Sequence, residues 1–157
     1  MTIEEFVNQN IELIDENKWD ELYRSAMDIG RRSHWFAGQL TDLLLAADID
    51  PLNSGLCIRV PDAYLNESKL EEFTIPNNIQ IIGYGAFYRS IVTKITIPTS
   101  IIKIESNAFI SLPAGCQIIY NGTVSEFDNI DIEYPGQFGG KQVICSDGIW
   151  EFQSKNI

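Results

Sequence analysis

Hydrophobic residues recur at a fixed interval in the middle of the chain. When the sequence is shifted by 22 residues, segment 71–76 falls on segment 93–98 with its apolar and proline positions matched. Further along, the same shift matches Ile79 with Ile101, Ile82 with Ile104, Ala86 with Ala108 and Phe87 with Phe109. A repeat of this length predicts a solenoid, in which each unit buries its apolar residues against its neighbours.

Each repeat unit begins with a strand pattern. Polar and apolar side chains alternate over residues 72–75, which is the two-residue period of a strand with one buried face. Pro76 is expected to end this strand, because proline cannot donate a hydrogen bond to a sheet ladder. Gly83 is expected to permit a tight bend, and Phe87 to place its ring in the interior.

The units at the two ends of the array are irregular. Residues 56–69 are interpreted as a shortened first unit, in which Ile58, Val60 and Pro61 take the places of Phe73, Ile75 and Pro76. Two later strands are predicted at 117–120 and 142–145, and segments 128–133 and 136–140 between them interrupt the pattern. Ile149, Trp150 and Phe152 are expected to fold over the C-terminal end as a cap.

The first 50 residues have a helical period instead. Apolar residues spaced by three and four predict helices over residues 2–16, from about 19 to 30, and from about 33 to 47. Thr2 and Glu5 form a capping-box pattern at the first of these. The predicted fold class is therefore α+β: a three-helix N-terminal cap over residues 1–52, then a short solenoid with a small parallel sheet over residues 53–157.

The charge of the chain narrows the partners that it can bind. Its formal net charge is −11, and residues 1–50 carry 11 acidic against 4 basic side chains. Nucleic acid and anionic membrane surfaces would repel such a protein. We therefore expect no direct binding of nucleic acid or membrane; a protein partner is expected from the sheet surface and the family resemblance described below.

The cysteines and the N-terminus indicate a location. Cys57, Cys116 and Cys145 are odd in number and lack a C-x-x-C spacing, which favours a reducing compartment. The acidic start of the chain is unlike a secretory signal, and no apolar run approaches the roughly 20 residues that span a bilayer. The expectation is a cytoplasmic protein.

Catalytic and metal-binding patterns are weak. His34 is the single histidine and has no nucleophile motif beside it, so a structural or surface role is expected. Asp128, Asp131 and Glu133 do not have the spacing of a calcium-binding loop and are interpreted as a solvated loop. We therefore predict no catalytic, cofactor-binding or metal-binding residues, no cofactor, and a protein that is not an enzyme.

The outward side of the predicted sheet is the candidate protein-binding face. One predicted column contains Arg59, Thr74, Thr96, Ile119 and Ile144, and its neighbour contains Glu72, Lys94, Gln117 and Gln142. Polar residues beside exposed isoleucines are typical of a weakly polar interface. The alternative interpretation is a strand surface that is merely solvated, which explains the isoleucines least well.

The repeat also resembles a known family. Segments 73–87 and 95–109 resemble the BspA-type leucine-rich repeat, and segments 118–123 and 143–148 are similar to the usual C-terminal ending of that family. The resemblance implies a short curved solenoid with a parallel sheet on its inner face, a role in protein binding, and no catalytic residues. Segment 46–52 is similar, more loosely, to the front end of short repeat proteins in bacteriophage genomes.

Two functional hypotheses follow. The first is a non-enzymatic interaction module, such as a phage product that binds or inhibits a host protein. The alternative is an acidic mimic of nucleic acid that acts on a DNA- or RNA-binding protein through the helical segment. Added salt should weaken binding steeply if the protein mimics nucleic acid, and very little if it binds through apolar contacts. A homodimer is a further alternative, because a second copy of the chain can cover the ends of a sheet array.

Overall fold

The computed structural model describes residues 1–29, 34–53 and 57–153, with only the backbone at 34–36. Four helices precede the first strand in these ranges: α1 (Ile3–Gln9), α2 (Ile11–Asp15), α3 (Trp19–Met27) and α4 (His34–Ala46). The predicted helix end near Gly30, the predicted start near Ser33 and the side-chain role of His34 lie outside the described residues.

The predicted helix over residues 2–16 is interrupted at Asn10. Its start is as expected, because the Glu5 backbone N–H donates to Thr2 Oγ1 at 3.1 Å. At Asn10, the side-chain Nδ2 donates to the Phe6 carbonyl at 2.9 Å. Asparagine side chains compete in this way for backbone groups and favour helix ends. As a result α1 and α2 are separate, and four helices stand where three were predicted.

The remaining elements are short strands and one more helix. In chain order they are β1 (Arg59–Val60), β2 (Glu72–Thr74), β3 (Ile81–Ile82), β4 (Lys94–Ile97), β5 (Lys103–Ile104), β6 (Gln117–Tyr120), α5 (Val124–Asp128), β7 (Asp131–Ile132), β8 (Gln142–Cys145) and β9 (Gly148–Glu151). Single 3₁₀ turns occupy Pro51–Asn53 and Pro135–Phe138.

The strands form two sheets. The order β1-β3-β5-β7 makes the short-strand sheet, which is entirely parallel. The order β2-β4-β6-β8-β9 makes the long-strand sheet, in which only β9 runs antiparallel to its neighbour. From β1 to β8 the chain therefore alternates between the two sheets, and each full unit contributes one strand to each of them.

The 22-residue interval sets the pairing of the strands. Phe73 lies opposite Ile95 in the long-strand sheet, and Ile82 lies opposite Ile104 in the short-strand sheet. Later units are longer: Ile95 pairs with Ile118, and Ile104 pairs with Ile132 because α5 is inserted between them. The predicted interruption at 128–133 is therefore wrong, since Asp131 and Ile132 form β7.

The alignment predicted for the first unit is also wrong. Val60 pairs with Ile82 in the short-strand sheet, and it does not occupy the position of Ile75. A short apolar alternation followed by Pro61 fits either strand of a unit, so this pattern could not distinguish them. The first unit has no described counterpart of β2.

An aromatic ladder runs through the core from the helical segment to the last strand. Its neighbouring ring centroids lie 4.7–5.9 Å apart, in the order Tyr23, Tyr64, Phe73, Phe87, Phe109, Phe138, Trp150. Such pairs contribute roughly 0.5–1.5 kcal/mol each beyond their buried area. Trp150 also packs on Phe127 and is buried, whereas Ile149 is exposed.

Helix α4 is held against the first unit by buried polar contacts. The Tyr23 hydroxyl lies 2.6 Å from Thr41 Oγ1, which in turn donates to the Tyr64 carbonyl at 2.5 Å. Ser68 Oγ donates to Asp42 Oδ1 at 2.7 Å. The closest approach is at Gly38, where an added Cβ would lie 1.6 Å from the Asn66 carbonyl oxygen. The helical segment and the strands therefore share one core.

Gly38→Ala should destabilise the protein. Alanine in place of glycine ordinarily stabilises a helix by about 0.5–1 kcal/mol, but here its Cβ meets backbone, so we expect a loss of about 1–3 kcal/mol. Urea unfolding followed by circular dichroism measures this change. Gln39→Ala, at an exposed position of the same helix, is the control and should be close to neutral. A neutral or stabilising Gly38→Ala would contradict the packing.

Buried tyrosines should make the fold sensitive to alkali. Burial raises the pKa of Tyr23 well above its ordinary value, against the smaller opposing effect of its hydrogen bond to Thr41. The pKa of Tyr64 is raised by burial in the same direction. Since the unfolded chain ionises near pH 10 and the folded one resists, the stability that these groups provide is complete below about pH 10 and is lost above it.

Tyr23→Phe should flatten this alkaline loss. At neutral pH the variant should lose about 1 kcal/mol, because the bond to Thr41 disappears. Denaturant unfolding from pH 7 to pH 11 measures both effects, with the exposed Tyr134→Phe as control. An unchanged slope above pH 10 in Tyr23→Phe would show that Tyr23 does not resist ionisation.

Candidate protein-binding face

The long-strand sheet has one buried side and one outward side. In β4, β6 and β8 the second and fourth residues are buried, whereas the first and third are partly or fully exposed. This alternation follows from the pleat of a strand. The buried residues complete the core with the aromatic ladder, so the outward residues are free for other contacts.

Two outward rows run across the sheet. The first row contains Thr74, Thr96, Ile119, Ile144 and Ile149, each directly opposite the next. The second row contains Glu72, Lys94, Gln117, Gln142 and Glu151. Gln117 and Gln142 immediately precede the paired residues Ile118 and Val143 and are thus neighbours too. Eight of the nine predicted face residues lie in these rows.

Ile149 and Glu151 were missed by the sequence analysis. They lie on β9, which folds back on β8 through the turn at Ser146 and Asp147. Glu151 Oε1 accepts a hydrogen bond from Gln142 Nε2 at 2.7 Å. The signal for this hairpin was present as a two-residue turn between alternating segments, but the apolar residues after it were interpreted only as a cap.

Arg59 does not belong to the face. It lies on β1 of the short-strand sheet, where its side chain is 14% exposed. Its guanidinium contacts Asp20 at 3.2 Å and both Asp62 and Glu105 at 2.5 Å. Burial acts to lower the pKa of Arg59, but hydrogen bonds to Glu105 and Asp62 outweigh it and raise that pKa. Arg59 therefore ties α3 to the first and third units.

Gly83 makes room for this ion cluster. An added Cβ would lie 2.3 Å from the Val60 carbonyl oxygen and 3.0 Å from Asp62 Oδ1. Its backbone is not in the left-handed region. Gly83 also begins the predicted bend, since its carbonyl accepts a hydrogen bond from the Ala86 N–H at 3.2 Å. Its missing side chain allows close contact between adjacent units, which lets Glu105 reach Arg59 across the unit between them.

The two rows differ in chemistry. The second row is polar, with Lys94 between Glu72 and Gln117. The first row changes from threonine to isoleucine toward β9, and Ile144 and Ile149 are 41% and 53% exposed. The isoleucine end, made of Ile119, Ile144 and Ile149, is thus an apolar strip on three adjacent strands, and apolar surface of this kind favours contact with a partner.

An open depression of about 730 Å³ lies beside this strip. It is lined by segments 112–117 and 139–142 together with Ile144, Glu151 and Phe152. Burial raises the pKa of the half-buried Cys116 thiol at its edge, which disfavours the nucleophilic thiolate. Burial raises the pKa values of Cys57 and Cys145 in the same way.

The described residues hold no group of three or more His, Cys, Asp or Glu side chains that could bind a metal ion. Nor does the described part of the chain include a helix that is both long and apolar enough to cross a membrane.

The repeat segment matches a known protein family. Residues 59–132, which span β1 to β7, match the family model described as a BspA type leucine-rich repeat region of six copies. Residues 59–132 are a BspA-type leucine-rich repeat region. No curated protein and no solved structure matches the chain.

The leucine-rich repeats account for most of the face but not for its apolar end. Ile119 lies within the matched residues, whereas Ile144 and Ile149 follow them on β8 and β9. Helices α1–α4 also lie outside the match. Repeats of this class are generally non-enzymatic interaction modules.

Replacing Arg59 should distinguish the ion cluster from the face. Arg59→Met leaves three carboxylates without their cation, and we expect a loss of about 1–3 kcal/mol in the free energy of unfolding. Lys94→Met is the matched control, because Lys94 makes no ion pair within 4.0 Å among the described residues. Thermal or urea unfolding measures both variants. Equal effects of the two changes would contradict the structural role of Arg59.

Proposed function

We propose that this chain is a non-enzymatic interaction module whose long-strand sheet binds another protein. The observation that supports it is the strip of Ile119, Ile144 and Ile149, side by side on the outward face with a polar row along one side. The leucine-rich-repeat match supports the same class of function, since such domains commonly mediate contacts between proteins. Exposed isoleucines on adjacent strands have the composition of an interface core.

We further infer that the two sheets are opposite sides of one short solenoid. They share the aromatic ladder, and their strands alternate along the chain at the repeat interval. In this proposal residues 1–52 are the N-terminal cap and residues 53–157 the solenoid with its C-terminal cap. The packing of α4 on residues 66–68 supports the cap.

We also propose that the partner is a host protein and that the location is cytoplasmic. A host protein as the partner is supported by the resemblance of segment 46–52 to short bacteriophage proteins. A cytoplasmic location is supported by three cysteines that are all unpaired, Cys57, Cys116 and Cys145.

The acidic helical segment favours a second candidate function. Four exposed carboxylates lie on this segment: Glu4 on α1, Glu12 on α2, Glu16 in the turn after α2, and Glu21 on α3. A surface of this charge could act as a nucleic-acid mimic toward a basic protein. Such binding would depend on these carboxylates and on low salt, whereas binding at the isoleucine strip would depend on neither.

The experiment compares two variants of the same protein in affinity capture from bacterial lysate. The first variant is I119T/I144T/I149T, because threonine already occupies this row at positions 74 and 96. The second is E12Q/E16Q, which changes only the acidic segment. Capture is carried out at about 0.05 M and 0.5 M salt, where the screening length falls several-fold, and the prey is quantified by mass spectrometry.

We expect a protein that the unaltered chain and E12Q/E16Q capture at both salt concentrations and that the threonine variant loses. The reason is that the threonine variant removes apolar contact area and little else. Circular dichroism checks that it remains folded. The proposal would be contradicted by a prey protein that binds the threonine variant as well as the unaltered chain and that is lost at high salt or in E12Q/E16Q. That result would support mimicry of nucleic acid.

A further inference from the structure

The described residues cover the C-terminal end of the strand array only in part. β7 is the last strand of the short-strand sheet, and β9 is the last strand of the long-strand sheet. On β7 the N–H groups of Asp131 and Glu133 donate to the Ile102 and Ile104 carbonyls of the preceding unit. Because successive residues of a strand direct their backbone groups to alternate sides, those of Ile132 point to the open side. An unpaired edge of this kind can accept another strand.

A groove lies between these two edges, which we call the end groove. Its volume is about 880 Å³. Its apolar lining comes from both sheets and the segments beside them, and consists of Val124, Ile130, Ile132, Pro135, Ile149, Trp150 and Phe152. These side chains would have been covered by a further unit if the array continued. The end groove therefore offers apolar contact area directly beside an open strand edge.

Four carboxylates surround the end groove. They are Asp128, Asp131, Asp147 and Glu151, and all are exposed. Three of them accept hydrogen bonds from the chain itself: Asp128 from Trp150 Nε1, Asp147 from the Val124 N–H and Glu151 from Gln142 Nε2, at 2.7–3.0 Å. None forms an ion pair with a described residue. Lys103 lies opposite Asp131 in the pairing of β5 with β7 but makes no ion pair with it.

The charge decides which occupant fits. Two copies of this chain docked end to end would bring the two sets of four carboxylates together. The opposite end carries the acidic excess of residues 1–50, so head-to-tail stacking brings like charges together as well. Nucleic acid is repelled for the same reason. A segment in which lysine or arginine alternates with apolar residues matches the rim, the lining and the strand edge together.

We propose that the end groove binds an extended, lysine- or arginine-bearing segment of a partner protein, which adds as a strand beside β7. Its apolar side chains contact Ile132 and Trp150, and its cations face the carboxylates of the rim. This surface adjoins the isoleucine strip at Ile149 but is centred on β7. The cations of the partner pair with rim carboxylates that form no ion pair with a described residue.

The test uses the full chain and a fluorescein-labelled octapeptide of alternating lysine and valine, with binding measured by fluorescence anisotropy. We expect D131N/E151Q to weaken binding about tenfold, because it removes two rim charges. The control E12Q/E16Q removes the same charge from the helical segment and should change affinity less than about twofold at moderate salt. A glutamate–valine peptide should not bind.

A second peptide tests the addition of a strand. Methylation of alternate backbone nitrogens of the lysine–valine peptide removes the donors that β7 requires and should abolish binding. The variant I119T/I144T leaves Ile149 of the groove lining unchanged and should bind the unmodified peptide normally, so failure at the isoleucine strip and failure here are distinguishable.

Several results would overturn the proposal. They are no binding of the lysine–valine peptide, equal weakening by D131N/E151Q and E12Q/E16Q, or undiminished binding of the methylated peptide. Tenfold tighter binding by a chain that stops at Gln153 would assign the groove to the chain's own last residues. Sedimentation could instead show a stable dimer. If that dimer persists in D131N/E151Q and is not dissociated by the peptide, the end groove is assigned to a second copy of the chain.

Discussion

Contact between aromatic rings in successive units is the interaction on which the rest of this structure depends. The ladder from Tyr23 to Trp150 crosses every unit, and its rings lie within 5.9 Å of one another. Because each ring must meet the next, the turns that carry Tyr64, Phe87 and Phe109 hold the strands beside them in register. That register also determines which side chains face outward, so the candidate face is a consequence of the core.

The two ends of the ladder are closed by different means. At the N-terminal end, helices with an apolar face add Tyr23, and Thr41 and Arg59 tie them to the strands. At the C-terminal end, Trp150 covers the core under α5 while β7 remains an open edge. The helical end is closely packed and acidic, whereas the strand end leaves an apolar groove. The second end is thus better suited to accept a chain segment.

The regular part of the fold could be predicted from the sequence, since equal spacing translates directly into strand pairing, as for Phe73 with Ile95. The prediction failed where spacing changed. The insertion of α5 hid β7 and the ladder position of Phe138, and an apolar pair before Pro61 was assigned to the other strand of its unit. The contacts of Arg59 join residues 39 and 46 positions away, which no local pattern indicates.

Direct coupling between rings one unit apart is the most decisive measurement for this account. A double-mutant cycle with Phe87→Leu and Phe109→Leu, read by urea unfolding, should give a coupling free energy of about 0.5–1.5 kcal/mol. The pair Phe87 and Phe138, which Phe109 separates, should give clearly less. Additive effects of Phe87→Leu and Phe109→Leu would contradict the account, because the register of the whole array would then have another origin.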